Sequence, residues 1–404
     1  MSDNENVSTK KQDINDDNQQ EKLVPELRFP RFNDYSNWYK KDLSRIGKII
    51  TGNTPSTKNK EYWGGNNQWI TPTDINESRF VINSERKLSN KGFEKSRHVP
   101  KDSVLVTCIA SIGKNCITNK TTSFNQQING IIPNKDYSSR FIYYLMEYYS
   151  PKLSKFAGIT ATPILNKKDF SKMTFMFPSF NEQKRIGNFL SLIDEKIELL
   201  EKTLCLHQKF IEGLKESIFS NLNYPKFKLN NFMKISKIKC NDNINKRLTV
   251  KLNLKGIVPR ETKTTEKEGV TTQYIRKKGQ FIYGKQNLYK GAFGIIPKEL
   301  DGYMSSSDIP SFDFINNKLN PYWFYYFISR KNYYSRLEKY STGTGSKRIS
   351  PEEFLNIKIP LPPIEKQNNQ VKMFNKLIER QNILIKEKEY LYNFKKGLLQ
   401  KMFV

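Results

Sequence analysis

The chain has 404 residues, of which 37% are hydrophobic, and it carries a formal net charge of +28. This length predicts two or three domains, and the absence of any run of about 18 apolar residues excludes a membrane-spanning helix. So large a basic excess indicates a polyanionic partner, usually nucleic acid, although a lysine-rich proteome would produce the same bias.

Residues 1–24 are a polar, acidic-leaning leader without an apolar stretch. We expect this leader to be disordered and not to act as a signal peptide. The four cysteines form no CxxC pair, which indicates a reducing compartment and a cytoplasmic location. Because His98 and His207 are the only histidines, neither a zinc site nor a histidine-based triad is expected.

Residues 25–178 predict the first globular domain. Short β-rich runs such as DSVLVTCIA and NGIIP alternate with loops rich in glycine, asparagine, threonine and serine, a pattern typical of a mixed α/β domain. Trp63 and Trp69 are expected to be core aromatics, and TGNTPS and YWGG read on their own as turns.

Residues 179–222 predict a long helix that begins after Pro178 with a capping box, Ser179-x-x-Glu182. Its apolar residues recur alternately four and three positions apart, which is a heptad seam that is buried only against another helix. The seam residues are Ile186, Leu190, Ile193, Ile197, Leu200 and Leu204. His207 continues the series, and we expect it to pack or to form a hydrogen bond, not to bind a ligand.

The second half of the chain repeats the first. In an ungapped register Pro178 pairs with Pro362, Gln183 with Gln367, and Leu200 with Leu384, which indicates an internal duplication. It predicts a second globular domain over 223–362 and a second long helix over 363–404. The apolar row of that helix contains Leu377, Leu384, Leu391 and Leu398. Gln381, Lys388 and Lys395 interrupt the row, and we expect them to snorkel or to face something other than the first helix.

The order of segments also predicts how the helices pair. Because the second domain lies between the two helices in sequence, and domain ends commonly lie close together, the helices should pack antiparallel. About 40 residues at 1.5 Å each span about 60 Å. The predicted fold class is mixed α/β, with two domains separated by an antiparallel pair of long coiled-coil helices in a pseudo-twofold repeat. Such a protein suits a DNA site with two half-sites.

Three motifs carry a family resemblance: GNTPSTKNKEYWGGNNQWITPTDI, then VTCIASIGKNCI followed by FNQQINGIIP, then NEQKRIGNFLSLIDEKI. Together with the duplicated layout, from about Leu27 onward, they resemble the specificity subunit of type I restriction–modification systems. The second domain departs from the pattern, because it lacks GNTPS and YWGG, and YMSSSDIPSF replaces FNQQINGIIP.

The resemblance implies two target recognition domains that read a bipartite, asymmetric DNA site, with no chemistry in this chain. It implies two methyltransferase subunits that methylate adenine at N6, and restriction subunits that translocate and cleave DNA. S-adenosylmethionine, ATP and magnesium would belong to those partners, so no cofactor or metal is expected here. With these half-sites on a helical pair about 60 Å long, their centres would lie at most about 17 base pairs apart.

Two other functions stay open. A fused restriction–methylation enzyme is disfavoured because the chain has no GxxxxGK[ST] phosphate loop. NPYW (Asn320–Trp323) lacks the second proline of the adenine methyltransferase motif, and it predicts a helix start with Asn320 as N-cap. A coiled-coil regulator or scaffold that works without methyltransferase partners is the other alternative.

The candidate DNA contacts are loop residues with amide, hydroxyl or basic side chains. Asn and Gln can bind adenine bidentately, and Lys and Arg can bind guanine or phosphate. Loops 157–170 and 341–354 occupy matching places, and their small residues let a backbone approach phosphate; Pro163 and Ile164 stand where the second copy has Lys347 and Arg348. The candidates are Asn53, Thr54, Lys58, Lys114, Gln126, Gln127, Thr160, Thr162, Lys285, Gln286, Asn287, Lys290, Thr344, Ser346, Lys347 and Arg348.

Overall fold

The computed structural model describes residues 24–35, 37–76, 78–153, 155, 163–241, 243–261, 271–343 and 347–404. The chain divides into two units, Met1–Leu200 with Lys388–Val404, and Glu201–Glu387. Each unit therefore contains one end of each long helix: the first long helix begins in the first unit, and the second long helix begins in the second unit. Of the predicted leader, residues 1–23 lie outside the described residues.

The first unit is built on two sheets and a strand pair that precedes the first long helix. A five-stranded sheet has the order β2-β10-β7-β8-β4, a four-stranded sheet has the order β5-β3-β9-β6, and β1 pairs with β11. The elements are β1 (Tyr39–Asp42), α1 (Leu43–Ile46), β2 (Gly47–Thr51), β3 (Trp63–Ile70), β4 (Phe80–Val81), β5 (Lys87–Leu88), α2 (Asn90–Glu94), β6 (His98–Val99), β7 (Val104–Thr107), β8 (Asn115–Thr118), β9 (Thr122–Phe124), β10 (Ile128–Pro133), α3 (Ser139–Leu153), α4 (Lys167–Lys172), β11 (Thr174–Phe177) and α5 (Phe180–Ser220).

The second unit has a four-stranded sheet, β13-β21-β18-β19, a three-stranded sheet, β14-β17-β20, and two strand pairs, β15-β16 and β12-β22. Its elements are β12 (Lys226–Lys228), β13 (Met233–Ser236), β14 (Lys239–Cys240), β15 (Leu248–Val250), β16 (Ile257–Pro259), β17 (Gln273–Ile275), β18 (Phe281–Tyr283), β19 (Phe293–Ile295), β20 (Met304–Ser306), β21 (Ser311–Phe314), α6 (Pro321–Ile328), α7 (Lys331–Tyr334), α8 (Pro351–Leu355), β22 (Lys358–Pro360) and α9 (Ile364–Met402).

NPYW starts a helix, as its composition predicts. Asn320 is the N-cap of α6, and its side-chain oxygen accepts hydrogen bonds from Tyr322 N at 2.9 Å and Trp323 N at 3.1 Å. Pro321 occupies the first helical position, where a missing N–H costs nothing. The motif is thus explained by helix capping.

The duplication is visible in matching contacts inside each unit. In the first unit, Gln183 near the start of α5 accepts from Ser138 N at 3.0 Å and donates to Pro178 O at 3.0 Å. In the second unit, Gln367 near the start of α9 accepts from Asn320 N at 2.8 Å and donates to Pro362 O at 2.8 Å. Both glutamines are fully buried. Each one ties the beginning of a long helix to the residue that precedes another helix, α3 in the first unit and α6 in the second.

The long helices pair antiparallel within each unit, so the predicted fold class is confirmed. In the first unit the beginning of α5 packs with the end of α9, and the seam residues there are buried: Ile186, Leu190, Ile193, Ile197, Leu200, Leu391 and Leu398. In the second unit Phe219 of α5 stacks on Phe374 of α9 with ring centroids 5.7 Å apart. The remaining seam residues, Leu204, Leu377 and Leu384, are half-buried there.

The expectation that the polar seam positions of α9 face something other than the first helix was wrong for Gln381 and was met only in part for Lys395. Gln381 donates to Gln208 Oε1 at 2.7 Å, and Lys395 Nζ lies 2.7 Å from Asp194 Oδ1. Both partners are on α5, and the Lys395 ammonium also lies 2.8 Å from Glu147 Oε1 of α3. Lys395 is buried, so its charge must find partners within the protein. Lys388 lies over the ring of Tyr392 on its own helix.

Three smaller expectations have mixed outcomes. His207 is half-buried and its ring nitrogens have no hydrogen-bond partner among the described residues, so it is a packing residue. Trp69 is buried, whereas Trp63 is only half-buried. Glu182 N donates to Ser179 Oγ at 3.4 Å, but the Glu182 carboxylate binds Arg28 at 2.7 Å instead of completing a capping box.

No helix in the described ranges is long and apolar enough to cross a membrane.

Candidate nucleic-acid interface

Three polar loops meet in the first unit. The loop after β7 is joined to its neighbours by backbone hydrogen bonds from Cys108 N to Gln127 O at 2.8 Å and from Leu165 N to Cys108 O at 2.9 Å. Ala110 N donates to Pro163 O at 3.2 Å. The described end of the predicted loop 157–170 therefore lies beside the loop that carries Lys114 and the loop that carries Gln127.

Asn53 is already engaged in joining loops. Its side-chain oxygen accepts from Arg97 N at 2.5 Å, its side-chain nitrogen donates to Lys95 O at 3.1 Å, and its carbonyl accepts from Trp69 Nε1 at 3.0 Å. The side-chain bonds use one of the two amide N–H groups and one of the two oxygen lone pairs of Asn53. Asn53 therefore positions the surrounding loops.

The other described candidates of the first unit are exposed, except for Gln127, which is half-buried like Asn53. Thr54 Oγ1 donates to Gln126 Oε1 at 2.5 Å, and Gln126 is exposed, with no hydrogen bond from its amide nitrogen to any described residue. Gln127 Oε1 accepts from Asn125 Nδ2 at 2.9 Å. Lys58 and Lys114 are exposed. This surface thus presents amide donors and ammonium groups to solvent, which is the chemistry that contacts base edges and phosphates.

The structure adds Arg86, which the sequence reasoning missed. Its guanidinium carbon lies 3.8 Å from the ring centroid of Trp63 and 5.2 Å from that of Trp69, and the two indoles pack edge to face with centroids 5.0 Å apart. Arg86 borders a cleft of about 460 Å³, which is also lined by Trp69, Thr71, Pro72, Thr73, Glu85, Ile109, Ala110, Ser111, Asn125 and Gln127. Arg86 belongs to no motif, so only the nearby tryptophans could have indicated it.

The second unit brings Lys285 together with the loop that contains Arg348. Lys285 N donates to Asp308 O at 3.0 Å, and Ile349 N donates to Lys285 O at 2.9 Å. Arg348 forms an ion pair with Asp308 at 3.2 Å. This arrangement parallels that of the first unit, where Leu165 N donates to the loop after β7. The sequence predicted the loops, and the structure shows how they are attached.

Lys347 is also paired with an acid. Its ammonium lies 2.7 Å from Glu338 Oε1, and both side chains are about half exposed. Hydrogen bonding to Glu338 raises the pKa of Lys347, so the ammonium stays protonated. Because exposed ion pairs are weak, a phosphate oxygen can replace Glu338 as its partner.

The last candidates of the second unit surround a short turn. The Asn287 carbonyl accepts backbone hydrogen bonds from Lys290 N and Ala292 N, both at 3.0 Å. Gln286 and Lys290 are exposed, and the Lys290 ammonium lies 5.6 Å from the ring centroid of Tyr289. Four further candidates lie outside the described residues: Thr160, Thr162, Thr344 and Ser346.

No group of three or more His, Cys, Asp or Glu residues that could hold a metal ion occurs in the described part of the chain. Burial raises the pKa of the Cys108 thiol to about 12, which suppresses the nucleophilic thiolate. The exposed amide, lysine and arginine side chains of both units are suited to recognition.

Comparison with known proteins identifies sequence and fold relatives. The family profile described as "Type I restriction modification DNA specificity domain" matches residues 35–205 and 220–390. The type I restriction enzyme MjaIX specificity subunit of Methanocaldococcus jannaschii is 32% identical over 205 residues, which cover 49% of this chain and 46% of that protein. The HindI specificity subunit of Haemophilus influenzae is 36% identical over 175 residues, which cover 41% and 36%. Both alignments span less than half of the relative's length.

Two solved structures share the fold. The type I restriction–modification S subunit from M. genitalium has a TM-score of 0.60 at 15% identity and covers 95% of this chain and 99% of its own. A chain from a structure on complex assembly and conformational transition of a type I system has a TM-score of 0.57 at 13% identity, with coverages of 91% and 97%. At these identities the likeness concerns the fold alone.

Proposed function

The chain belongs to the family of type I restriction–modification DNA specificity domains, and from this premise we propose that it selects the DNA sequence for a type I restriction–modification complex. In this role it reads a bipartite, asymmetric DNA site and performs no catalysis of its own. The observation that carries the proposal is the double match of the family profile, once in each half of the chain. Two unlike copies suit two unlike half-sites.

We assign the two target recognition domains to residues 25–178 and 223–362. The helical spacer consists of residues 179–222 and 363–404. The helices Phe180–Ser220 and Ile364–Met402 support the spacer limits. The strand pairs β1-β11 and β12-β22 support the domain limits, because each pair joins the beginning of a domain to the strand before a long helix.

DNA contacts in this proposal come from candidates of the joined loops. In the first unit these include the exposed Gln126 and Lys114, and in the second unit the half-buried Lys285 and the exposed Lys347 and Arg348. For Lys347 and Arg348 to bind DNA, phosphates must replace Glu338 and Asp308 as their partners. The charge-assisted hydrogen bonds to phosphate then compensate for the ion pairs that are lost. Because phosphate contacts release counterions, we expect affinity to fall steeply between about 50 and 200 mM salt.

The partners in this proposal are two methyltransferase subunits and the restriction subunits. Exposed apolar side chains on the long helices support a protein partner in each unit, because large apolar side chains on a helix surface favour docking. In the first unit these are Leu192, Leu199 and Tyr390, and in the second unit Leu206, Phe210 and Ile383. S-adenosylmethionine, ATP and magnesium belong to those subunits, and we place the complex in the cytoplasm with the DNA.

Genome-wide mapping of N6-methyladenine tests the function. Cells that express the methyltransferase partner are compared with and without this chain, and methylation of one asymmetric split motif should depend on it. Replacing residues 25–175 with the corresponding segment of another family member should change one half-site only. If both half-sites changed, the assignment of one half-site to each domain would be wrong. No dependence on this chain, together with self-association in native mass spectrometry, would favour a coiled-coil regulator.

A further inference from the structure

Arg86 is held in one orientation by aromatic stacking. Its guanidinium carbon is 3.8 Å from the ring centroid of Trp63, a distance at which the planar cation lies against the ring face. The backbone beside it is fixed too, because Ser84 Oγ donates to Arg86 O at 2.7 Å and accepts from Trp69 N at 3.2 Å. Without this stacking, an exposed arginine would lose side-chain freedom on binding, and that loss would cost free energy.

The hydrogen-bond donors of Arg86 are nevertheless unused. No hydrogen bond or ion pair joins its guanidinium to any residue in the described ranges, and the side chain is exposed. Other arginines of this unit serve the fold: Arg79 donates to Ser191 O at 3.0 Å, and Arg28 binds the Glu182 carboxylate. Because the guanidinium is stacked but not hydrogen-bonded, the ring fixes its plane and its five N–H groups remain available to a ligand.

Arg86 belongs to the same surface as the predicted DNA contacts. The cleft beside it is lined by Asn125 and Gln127, and Trp69, which supports the guanidinium, donates to Asn53 O at 3.0 Å. Asp74 joins two residues that line the cleft, accepting from Thr71 N and from Glu85 N, both at 2.8 Å. A base edge that entered this cleft would meet Arg86 and Gln127 together.

We propose that Arg86 reads a guanine in the half-site bound by the first unit, which makes it a specificity-determining residue. The inference rests on the proposed function. A guanidinium whose plane is fixed by stacking can donate two parallel hydrogen bonds to O6 and N7 of guanine, and this pairing is the commonest specific contact in the major groove. A lysine would keep the charge but would lose both the stacking and the bidentate geometry.

The test uses the complex of this chain with its methyltransferase partner. Methylation rates are measured on duplexes that carry each of the four base pairs at each position of the two half-sites. The unmodified chain should prefer G·C at one position of the first unit's half-site by roughly tenfold or more. Arg86→Lys should nearly abolish that preference and leave the preferences at all other positions unchanged. Trp63→Ala, which removes the stacking platform, should weaken the same preference.

Two results would overturn the inference. An equal loss of rate on all duplexes would mean that Arg86 binds a phosphate, and unchanged preferences would mean that it does not contact the DNA. Arg140→Lys is the matched control, because Arg140 is an exposed arginine of the same unit that donates to Asn188 Oδ1 at 2.5 Å. If the unmodified complex showed no sequence preference at all, the proposed function itself would fail, so the two failures are distinguishable.

Discussion

Replacing Lys395 with methionine should destabilise the first unit. The Lys395 ammonium lies 2.7 Å from Asp194 Oδ1 and 2.8 Å from Glu147 Oε1, and only 10% of its side chain is exposed. Methionine matches the length of the lysine stem and keeps its packing, so the main loss is the charge. The two carboxylates would then share a partly buried site without their cation.

The size of the effect follows from the burial of the two acids. Removing one member of a buried ion pair costs about 3–5 kcal/mol. Asp194 is 12% exposed, but Glu147 is 32% exposed, and Tyr144 OH still donates to Asp194 Oδ2 at 2.5 Å. Solvent and this hydrogen bond reduce the loss, so we expect about 3 kcal/mol. For a unit of this size, that corresponds to a fall of roughly 6–12 °C in the melting temperature.

The effect should depend on pH in a defined direction. Burial raises the pKa of Glu147 above its ordinary value of 4.5, and Lys395 opposes this rise, so the variant should raise that pKa further. A carboxyl with a higher pKa in the folded state binds protons preferentially there, and stability falls as pH rises through the interval between the folded and unfolded pKa values. The deficit of the variant should therefore shrink from neutral pH to mildly acidic pH.

Calorimetry of the variant and a control at both pH values provides the test. Lys401→Met removes the same charge from the same helix, but the pair that Lys401 forms with Glu26 is exposed on both sides, so it should cost less than about 1 kcal/mol. Equal melting temperatures for the Lys395 and Lys401 variants would refute the reasoning. A deficit that grew on acidification would refute the assignment to Glu147.

Three further predictions concern capping, thiol reactivity and the seam. Ser350→Ala should lower the melting temperature of the second unit by roughly 2–4 °C, since Ser350 Oγ accepts from Glu353 N at 3.1 Å in a complete capping box. An unchanged melting temperature would argue against a stabilising role of this cap. Iodoacetamide should modify exposed Cys205 in the native protein but not Cys108, whose pKa burial raises to about 12, and equal labelling by mass spectrometry would contradict this. Leu200→Asp should reduce the yield of assembled complex more than Leu384→Asp, because Leu200 is buried and Leu384 is half-buried. The methylated motif should stay the same in both variants. An altered motif would refute a purely structural role.

The repeated layout was predictable because it depends on local periodicity and register. Leu190 and Leu391 follow from the heptad spacing alone, and both are buried. Gln183 and Gln367 occupy equivalent positions of the duplication and make equivalent contacts. In each case the information lies within one helix or in the comparison of the two halves.

Contacts between distant segments were not predictable in the same way. In the seam pattern Lys395 interrupts the apolar row. The sequence does not show that Asp194 and Glu147 lie beside it in the folded unit. The loop motifs include Asn53 among the DNA contacts, but they do not show that its amide also holds Lys95 and Arg97. Which polar groups are satisfied within the protein depends on tertiary packing.

The same distinction decides how the net charge contributes to binding. Arg276 of the second unit is 1% exposed and donates to Ser305 Oγ at 2.7 Å and Ser311 Oγ at 3.0 Å, among other acceptors. Burial lowers its pKa to about 10, so it stays cationic at neutral pH while its donors are used by the fold. Arg86 contributes the same formal charge but keeps its donors for a ligand. The net charge of +28 therefore predicts a polyanionic partner, whereas exposed cations such as Arg86 indicate where that partner binds.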